Sequence, residues 1–153
     1  ADVVLSAIGV RPRTDLAAQA GITVNRGIVA DRTLKTSIDN VFTLGDCAEV
    51  DGHVLYYILP LMDGARALAK TLLGHATQVQ YGVMPVVIKT TLCPVVACPP
   101  ARGTEGQWIL SGTVADGVCA EFRNPKGELL GFALTGQATS SRDTLAKQCP
   151  GIM

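Results

Sequence analysis

Hydrophobic positions follow one pattern up to Gln80 and a different pattern from Tyr81 onwards. In the first part, short apolar runs at residues 3–8 and 41–44 each end at a glycine. Continuous apolar runs bounded by turn residues are typical of strands buried on both faces of a parallel sheet. The first part is therefore predicted to be α/β in character.

A short helix and a hairpin are predicted between these two runs. Asp15 supplies a first-turn acid for a helix over residues 16–20, and Gly21 is placed to end it in the left-handed conformation. Residues 22–24 and 27–31 are predicted to be the two strands of a hairpin. Both features are interpreted as scaffold.

Residues 60–73 show the period of an amphipathic helix. The predicted apolar face consists of Leu61, Ala65, Leu68 and Leu72, and the charged face of Asp63, Arg66 and Lys70. Pro60 suits the first helical position and Gly74 the end, but Leu59 in the N-cap place has no side-chain acceptor. The free amides at this helix start could face an electron-rich ligand atom or be satisfied by water. The sequence leaves both interpretations open.

From Tyr81 onwards the pattern predicts a small, mostly antiparallel sheet. The predicted strands are residues 86–91, 95–97, 108–110, 118–123 and 128–135. A turn is predicted at residues 124–127, and a closing helix from Ser140 or Ser141 to Lys147.

The composition excludes several classes of partner. The chain has 153 residues, 48% of them hydrophobic, a formal net charge of zero and a pI near 6.9, which suits one core or two small packed units. This balance gives no general surface for nucleic acid or an anionic membrane. No apolar run is long enough for membrane insertion, and no signal peptide opens the sequence, so a cytoplasmic location is expected.

The cysteine pattern argues against a disulfide framework and a zinc site. Five cysteines are present, with neither a C-x-x-C motif nor a paired histidine spacing. Cys93 and Cys98 lie in a segment that is expected to be extended, which holds the two thiols too far apart for a bridge. His53 and His75 are interpreted as surface residues, and neither a catalytic residue nor a metal site is predicted.

Two side chains are candidates for ligand binding. A strand that stops at Gly45 would place Asp46 at its carboxyl end, where open α/β sheets bind ligands. A carboxylate there can accept hydrogen bonds from ligand hydroxyls, and the alternative is a solvated aspartate in an ordinary turn. Lys89 is the single cation in its predicted strand. It lies either on the wet face of an edge strand or against a buried anionic or polarisable ligand.

Several motifs, taken together, resemble the carboxyl-terminal part of the FAD-dependent pyridine-nucleotide oxidoreductases. They are Ala7-Ile8-Gly9-Val10-Arg11-Pro12, Gly27-Ile28-Val29-Ala30-Asp31, Thr36-Ser37 and Val41-Phe42-Thr43-Leu44-Gly45-Asp46-Cys47-Ala48. Later motifs narrow the resemblance to the branch that reduces rubredoxin. They are Leu59-Pro60-Leu61-Met62-Asp63-Gly64-Ala65-Arg66-Ala67-Leu68-Ala69, Met84-Pro85-Val86-Val87-Ile88-Lys89, Pro99-Pro100 and Gly131-Phe132-Ala133-Leu134-Thr135-Gly136. The resemblance covers nearly the whole chain.

The resemblance implies the end of a FAD/NAD-binding Rossmann-like α/β domain, followed by a small α+β domain with a mostly antiparallel sheet. Residues 1–10 are expected to be the last strand of the NAD-binding domain and the crossing from it. Residues 11–78 are expected to complete the FAD-binding domain, and residues 79–153 to form the small domain.

The resemblance also implies a function for three residues. By this resemblance, hydride is expected to pass from NADH to FAD and single electrons from FAD to rubredoxin, which would supply electrons for alkane hydroxylation. Asp46 matches the acid that holds the ribityl chain of the flavin, Ile58 the position whose backbone meets the flavin edge, and Lys89 a lysine that contacts the flavin.

One departure from the family pattern limits what this chain is expected to do alone. No G-x-G-x-x-G motif occurs, so both dinucleotide fingerprints are expected in an amino-terminal part outside these residues, and the isolated chain is expected to be inactive. Cys47 is interpreted as a packed thiol. The alternatives are a ferredoxin, nitrite or disulfide reductase of the same superfamily, or a non-catalytic interaction or dimerisation module.

Overall fold

A computed structural model describes all 153 residues, which form two compact units, Ala1–Gln80 and Tyr81–Met153. The first unit contains helix α1 (Asp15–Gln19), strands β1 (Ile28–Ala30) and β2 (Ala48–Val50), and helix α2 (Ile58–Leu72). The second contains strands β3 (Val86–Ile88), β4 (Val95–Cys98), β5 (Gln107–Thr113), β6 (Gly117–Arg123) and β7 (Leu129–Thr135), a 3₁₀ helix (Gly136–Ser141) and helix α3 (Arg142–Ala146).

The apolar segment at residues 3–8 is not a strand, so the prediction of a buried strand there is wrong. The side chains of Val3, Leu5 and Ile8 are 84%, 87% and 94% exposed, and residues 1–14 carry no helix or strand. A parallel strand needs hydrogen-bonded neighbours and covering helices. No strand of this chain pairs with the segment.

The first predicted helix is confirmed, and the predicted hairpin is confirmed only in part. Helix α1 is followed by Gly21 at φ 76°, the expected left-handed stop. An isolated antiparallel bridge between Val24 and Ile28 and a hydrogen bond from the Val29 N–H to the Thr23 carbonyl at 3.0 Å join the two predicted segments, but residues 22–24 form no strand. Strand β1 instead pairs in parallel with β2, with Ile28 opposite Ala48.

Gly27 explains why β1 can lie so close to the segment that leads into β2. A Cβ atom added at Gly27 would stand 2.8 Å from the Cys47 carbonyl oxygen and 3.1 Å from Cβ of Glu49. The Ile28 N–H donates to the same Cys47 oxygen at 2.7 Å. The parallel pair therefore depends on a residue without a side chain at position 27.

The prediction of a strand at residues 41–44 is also wrong. Phe42 forms an isolated antiparallel bridge with Lys35, and the segment belongs to no strand. Asn40 at φ 61° and Gly45 at φ 85° turn the backbone out of the extended conformation at both ends. The strand in this region is β2, which begins at Ala48. Asp46 therefore precedes a strand instead of following one.

Helix α2 confirms the predicted amphipathic helix with a shifted start and a shifted buried face. It begins at Ile58, which makes Pro60 the third helical residue, and Gly74 follows its end at φ 89°. Its buried residues are Pro60, Gly64 and Ala67, whereas Leu72 is 63% exposed. No helix in the protein has the length and apolar character that spanning a bilayer requires.

The second unit is a five-stranded antiparallel sheet in the order β3-β4-β7-β6-β5. All five strands predicted from the sequence are confirmed, with small shifts at their ends. The turn between β6 and β7 is also confirmed, with Gly127 at φ 83°. The Asn124 side-chain oxygen accepts hydrogen bonds from the amides of Lys126 and Glu128, each at 3.0 Å.

The core of the second unit lies between its sheet and the closing helix. Phe132 and Leu134 on the central strand β7 are fully buried. The core consists of Val96, Cys98, Leu129, Phe132, Leu134, Leu145 and Cys149. Leu145 is contributed by α3, which confirms the predicted closing helix.

Candidate functional site

Asp46 lies in a tight turn between the mostly half-buried residues 41–44 and the buried strand β2. The Ala48 N–H donates to the Gly45 carbonyl at 2.9 Å, which closes the turn, and Gly45 takes the left-handed conformation that the turn requires. The Cys47 carbonyl in this turn is held by the Ile28 N–H. The Asp46 side chain is exposed. The structure therefore presents a carboxylate to solvent from a backbone that is fixed on both sides.

Ile58 is the first residue of α2 and is 73% exposed. The N-cap residue, Tyr57, makes no side-chain hydrogen bond to the helix, and the first turn contains no acidic residue. Pro60 has no N–H, so the amides of Ile58 and Leu59 are the free donors of this turn. The predicted absence of a capping side chain is confirmed, with Tyr57 in the N-cap place instead of Leu59.

The Gly45 turn and the start of α2 lie against each other. A Cβ atom added at Gly45 would stand 3.5 Å from Cδ1 of Leu61, which belongs to the first turns of α2. The structure therefore brings together the two elements that carry Asp46 and Ile58. Exposed apolar side chains surround the helix start, namely Tyr57, Ile58, Leu59 and Met62.

Lys89 belongs to the second unit, where it directly follows β3. Strand β3 is an edge strand that pairs with β4 alone. Its residues Val87 and Ile88 are 52% and 45% exposed, and the Lys89 side chain is also exposed. Lys89 is therefore an accessible cation at a sheet edge.

Sequence reasoning missed Glu49, the buried carboxylate of the first unit. Glu49 is the middle residue of β2 and is 4% exposed. Its Oε1 accepts a hydrogen bond from Nδ2 of Asn25 and its Oε2 one from the Gly27 N–H, both at 2.9 Å. The available signal was a single carboxylate between the apolar residues Ala48 and Val50, which is unusual for a buried strand.

The donors around Glu49 keep its carboxylate ionised. Burial acts to raise the pKa of Glu49, but hydrogen bonds from Gly27, Asn25 and the Arg26 amide, together with the Arg26 charge, outweigh it and hold the pKa below the ordinary value. An isolated buried carboxylate would be costly, so these donors are what makes the position tolerable.

The cysteines form no disulfide, and three of them are protected thiols of the second unit. Burial, followed by the neighbouring Cys149 thiol, raises the pKa of Cys98 to about 11. Burial also raises the pKa values of Cys149 and Cys119. Cys47 is half-buried beside Asp46, in agreement with its interpretation as a packed thiol.

The residues at the turn and helix start fit part of a flavin nucleotide. An exposed carboxylate can accept hydrogen bonds from ribityl hydroxyls, and free helix amides can donate to an electron-rich carbonyl of a ring system. The exposed apolar side chains beside them provide a surface for an aromatic ring. The positive φ of Gly45 and the short closed turn let the backbone itself approach such a ligand.

Two protein families divide the chain between them. Residues 1–71 match the pyridine nucleotide-disulphide oxidoreductase family, and residues 78–149 match the rubredoxin binding C-terminal domain. The first part of the chain is therefore similar to the pyridine nucleotide-disulphide oxidoreductases, and the second part is similar to the rubredoxin binding C-terminal domain.

Individual relatives agree with this placement. The chain is 58% identical over 152 residues to the rubredoxin-NAD(+) reductase of Alcanivorax borkumensis, covering 99% of this chain and 40% of that protein. It is 38% identical to the nitric oxide reductase FlRd-NAD(+) reductase of Aliivibrio fischeri, covering 96% of this chain and 38% of the relative.

A solved structure shares the fold. The NADH:rubredoxin oxidoreductase from Clostridium acetobutylicum superposes with a TM-score of 0.75 at 21% identity, covering 93% of this chain and 37% of that one. At this identity the likeness shows the fold alone. The chain thus spans about two fifths of the length of the curated relatives it matches.

Proposed function

We propose that this chain supplies one wall of an FAD site and an acceptor-binding domain to a reductase that passes electrons from NADH through FAD to rubredoxin. In this proposal residues 1–10 end the NAD-binding domain, residues 11–78 complete the FAD-binding domain and residues 79–153 form the small acceptor-binding domain. A cytoplasmic location goes with this function.

The presence of both family matches in one chain is the observation that carries the proposal. The match to the pyridine nucleotide-disulphide oxidoreductases supports the class of reaction, and the match to the rubredoxin binding domain supports the class of partner. Other members of the family pass electrons to different acceptors, so the second match is what favours rubredoxin over ferredoxin, nitrite or a disulfide.

The proposed roles of the three residues follow from their chemistry. Asp46 accepts hydrogen bonds from the ribityl hydroxyls, which fixes the position of the cofactor. The free amides at Ile58 and the ammonium group of Lys89 stabilise negative charge on the flavin ring system. When bound, FAD provides the conversion of two-electron oxidation of NADH into one-electron transfers.

The second candidate acceptor is the nitric oxide reductase FlRd. It is supported by the identity of 38% to a nitric oxide reductase FlRd-NAD(+) reductase. The higher identity of 58% to a rubredoxin-NAD(+) reductase favours rubredoxin.

The test uses a fusion in which the 153 residues replace the matching segment of the Alcanivorax borkumensis relative. We expect the fusion to bind FAD and to reduce rubredoxin with NADH faster than it reduces ferredoxin, as followed by visible absorbance. The isolated chain is expected to oxidise no NADH. Loss of NADH-dependent rubredoxin reduction in a fusion that binds FAD would refute rubredoxin as the acceptor.

Two substitutions separate an electron-transfer role from a module without flavin chemistry. In the fusion, Asp46→Ala and Lys89→Ala should each lower FAD affinity or the reduction rate by about tenfold, because each removes a charge-assisted contact. Lys126→Ala, which removes an exposed cation from the β6–β7 turn, is the matched control. Unchanged flavin content and rate in both variants would favour the module.

A further inference from the structure

The buried carboxylate of Glu49 has no part in the function proposed above. Its two hydrogen-bond donors, the Asn25 side chain and the Gly27 N–H, lie on one short loop that leads into β1. Glu49 itself lies in β2, the neighbouring strand. The Glu49 side chain therefore connects the loop before β1 to strand β2.

The hydrogen bonds of Glu49 lie close to the turn that carries Asp46. Glu49 is three residues beyond Asp46, and the turn between them is closed by the hydrogen bond from Ala48 N–H to Gly45 O. Gly27, one of the donors to Glu49, packs against the Cys47 carbonyl so closely that no Cβ atom would fit. A displacement of the loop at Gly27 would therefore also displace the Asp46 turn.

The chemistry of the contact requires a carboxylate. Both Glu49 oxygens accept hydrogen bonds, one from a side-chain amide and one from a backbone amide. A glutamine of the same shape would direct its NH₂ group towards one of these donors and leave that donor without a partner. An unsatisfied buried donor costs more than the loss of one exposed hydrogen bond.

We infer that Glu49 is a positioning residue that holds the Asp46 turn in the geometry that grips the flavin. The inference rests on the proposed function, because it requires Asp46 to contact FAD. Glu49 acts through the loop at Gly27 and the Cys47 carbonyl, and it does not touch the cofactor. Glu49→Gln should therefore weaken FAD binding solely when Asp46 is present.

A double-mutant cycle in the fusion protein tests this coupling. The apo forms of the parent, Glu49→Gln, Asp46→Ala and the double variant are titrated with FAD, and the dissociation constants are compared. We expect Glu49→Gln to weaken binding about tenfold with Asp46 present and less than about twofold in the Asp46→Ala background. Glu105→Gln, which alters an exposed glutamate of the second unit, should leave the dissociation constant within about twofold.

The possible outcomes separate the two hypotheses. Equal weakening by Glu49→Gln in both backgrounds, or none in the first, overturns the positioning role while Asp46 keeps its function. An unchanged dissociation constant in Asp46→Ala alone overturns the proposed flavin contact itself. Should Glu49→Gln fail to fold, Asn25→Ala removes one donor and is carried through the same cycle, with the same criterion and a smaller expected effect of about threefold.

Discussion

The second unit packs around the fully buried Phe132 and Leu134, whereas the fully buried side chains of the first unit are the aliphatic Leu34, Val50 and Val79, with no buried aromatic ring. The buried polar side chains of the protein, Thr36, Thr43 and Glu49, all lie in the first unit. The first unit relies on specific hydrogen bonds: the Thr36 hydroxyl donates to the Val41 carbonyl at 3.0 Å, and Glu49 accepts from Asn25 and Gly27.

The two kinds of interior suit the two units to different partners. An apolar core tolerates many hydrophobic substitutions, and the alternation of apolar and polar residues along the strands is enough to specify its sheet. Polar contacts between side chains and backbone hold irregular segments in one geometry, and ligand-binding turns need such segments. The unit that buries polar side chains is thus the unit that carries the Asp46 turn.

The largest expected effect lies in the core of the second unit. Phe132→Ala removes a fully buried ring and should destabilise this unit by about 3–5 kcal/mol. Urea unfolding followed by fluorescence of Trp108 reports on it, because Trp108 contacts Phe122 of the same sheet at a ring distance of 5.3 Å. Leu110→Ala, at an exposed position, should cost less than about 0.5 kcal/mol. A loss below about 1 kcal/mol for Phe132→Ala would show that the core does not dominate.

The second prediction compares the reactivity of two thiols of the second unit, the buried Cys98 and the exposed Cys93. The pKa of Cys98 is raised to about 11, so Cys98 should be alkylated on the order of a hundredfold more slowly at pH 8 than the exposed Cys93. Peptide mapping by mass spectrometry after timed alkylation measures both sites. Equal rates in the native protein, together with equal rates in urea, would contradict the buried position of Cys98.

A third prediction concerns the close approach of backbones in the first unit. Gly27→Ala forces a Cβ atom to within 2.8 Å of the Cys47 carbonyl and should cost about 1–3 kcal/mol. Amide exchange of Ile28, whose N–H is bound to that carbonyl, should become about tenfold faster. Gly82→Ala is the control, because no atom lies within 4 Å of the added Cβ atom. Unchanged Ile28 exchange would mean that the loop can move away freely.

The smallest expected effect is the titration of Glu49. Its pKa lies below the ordinary value of 4.5, so the stability that it contributes is present above that value and is lost as the pH falls through the folded-state pKa. The ¹³C shift of the Glu49 carboxyl and the amide shift of Gly27 should titrate together, with a midpoint below 4.5. In Glu49→Gln the Gly27 amide should show no such transition. A midpoint above 4.5 would contradict the donor arrangement.

Sequence patterns predicted the second unit well because its strands follow the hydrophobic period of an antiparallel sheet. The turn at Asn124 and Gly127 carries its own local signal, so the pairing of β6 with β7 was also predictable. The start of α2 was missed by two residues, since Pro60 is equally acceptable at the third helical position.

The same patterns predicted the helices of the first unit but failed for its strands, because short apolar runs do not distinguish strands from fixed loops. The segment before Gly45 is bent by Asn40 at its other end, and the true strand pair is held by the side chain of Glu49, a contact between residues distant in the sequence. Asp46 was still identified, because the glycine before it marks the turn. The role of Glu49 could not be predicted without the pairing of β1 with β2.

A crystal structure of the fusion with FAD bound tests the central claim most directly. We predict that an Asp46 carboxylate oxygen lies within about 3.2 Å of a ribityl hydroxyl, and that the Ile58 amide and the Lys89 ammonium group face the flavin ring system. A structure in which these three positions line no common cavity with the cofactor would contradict it.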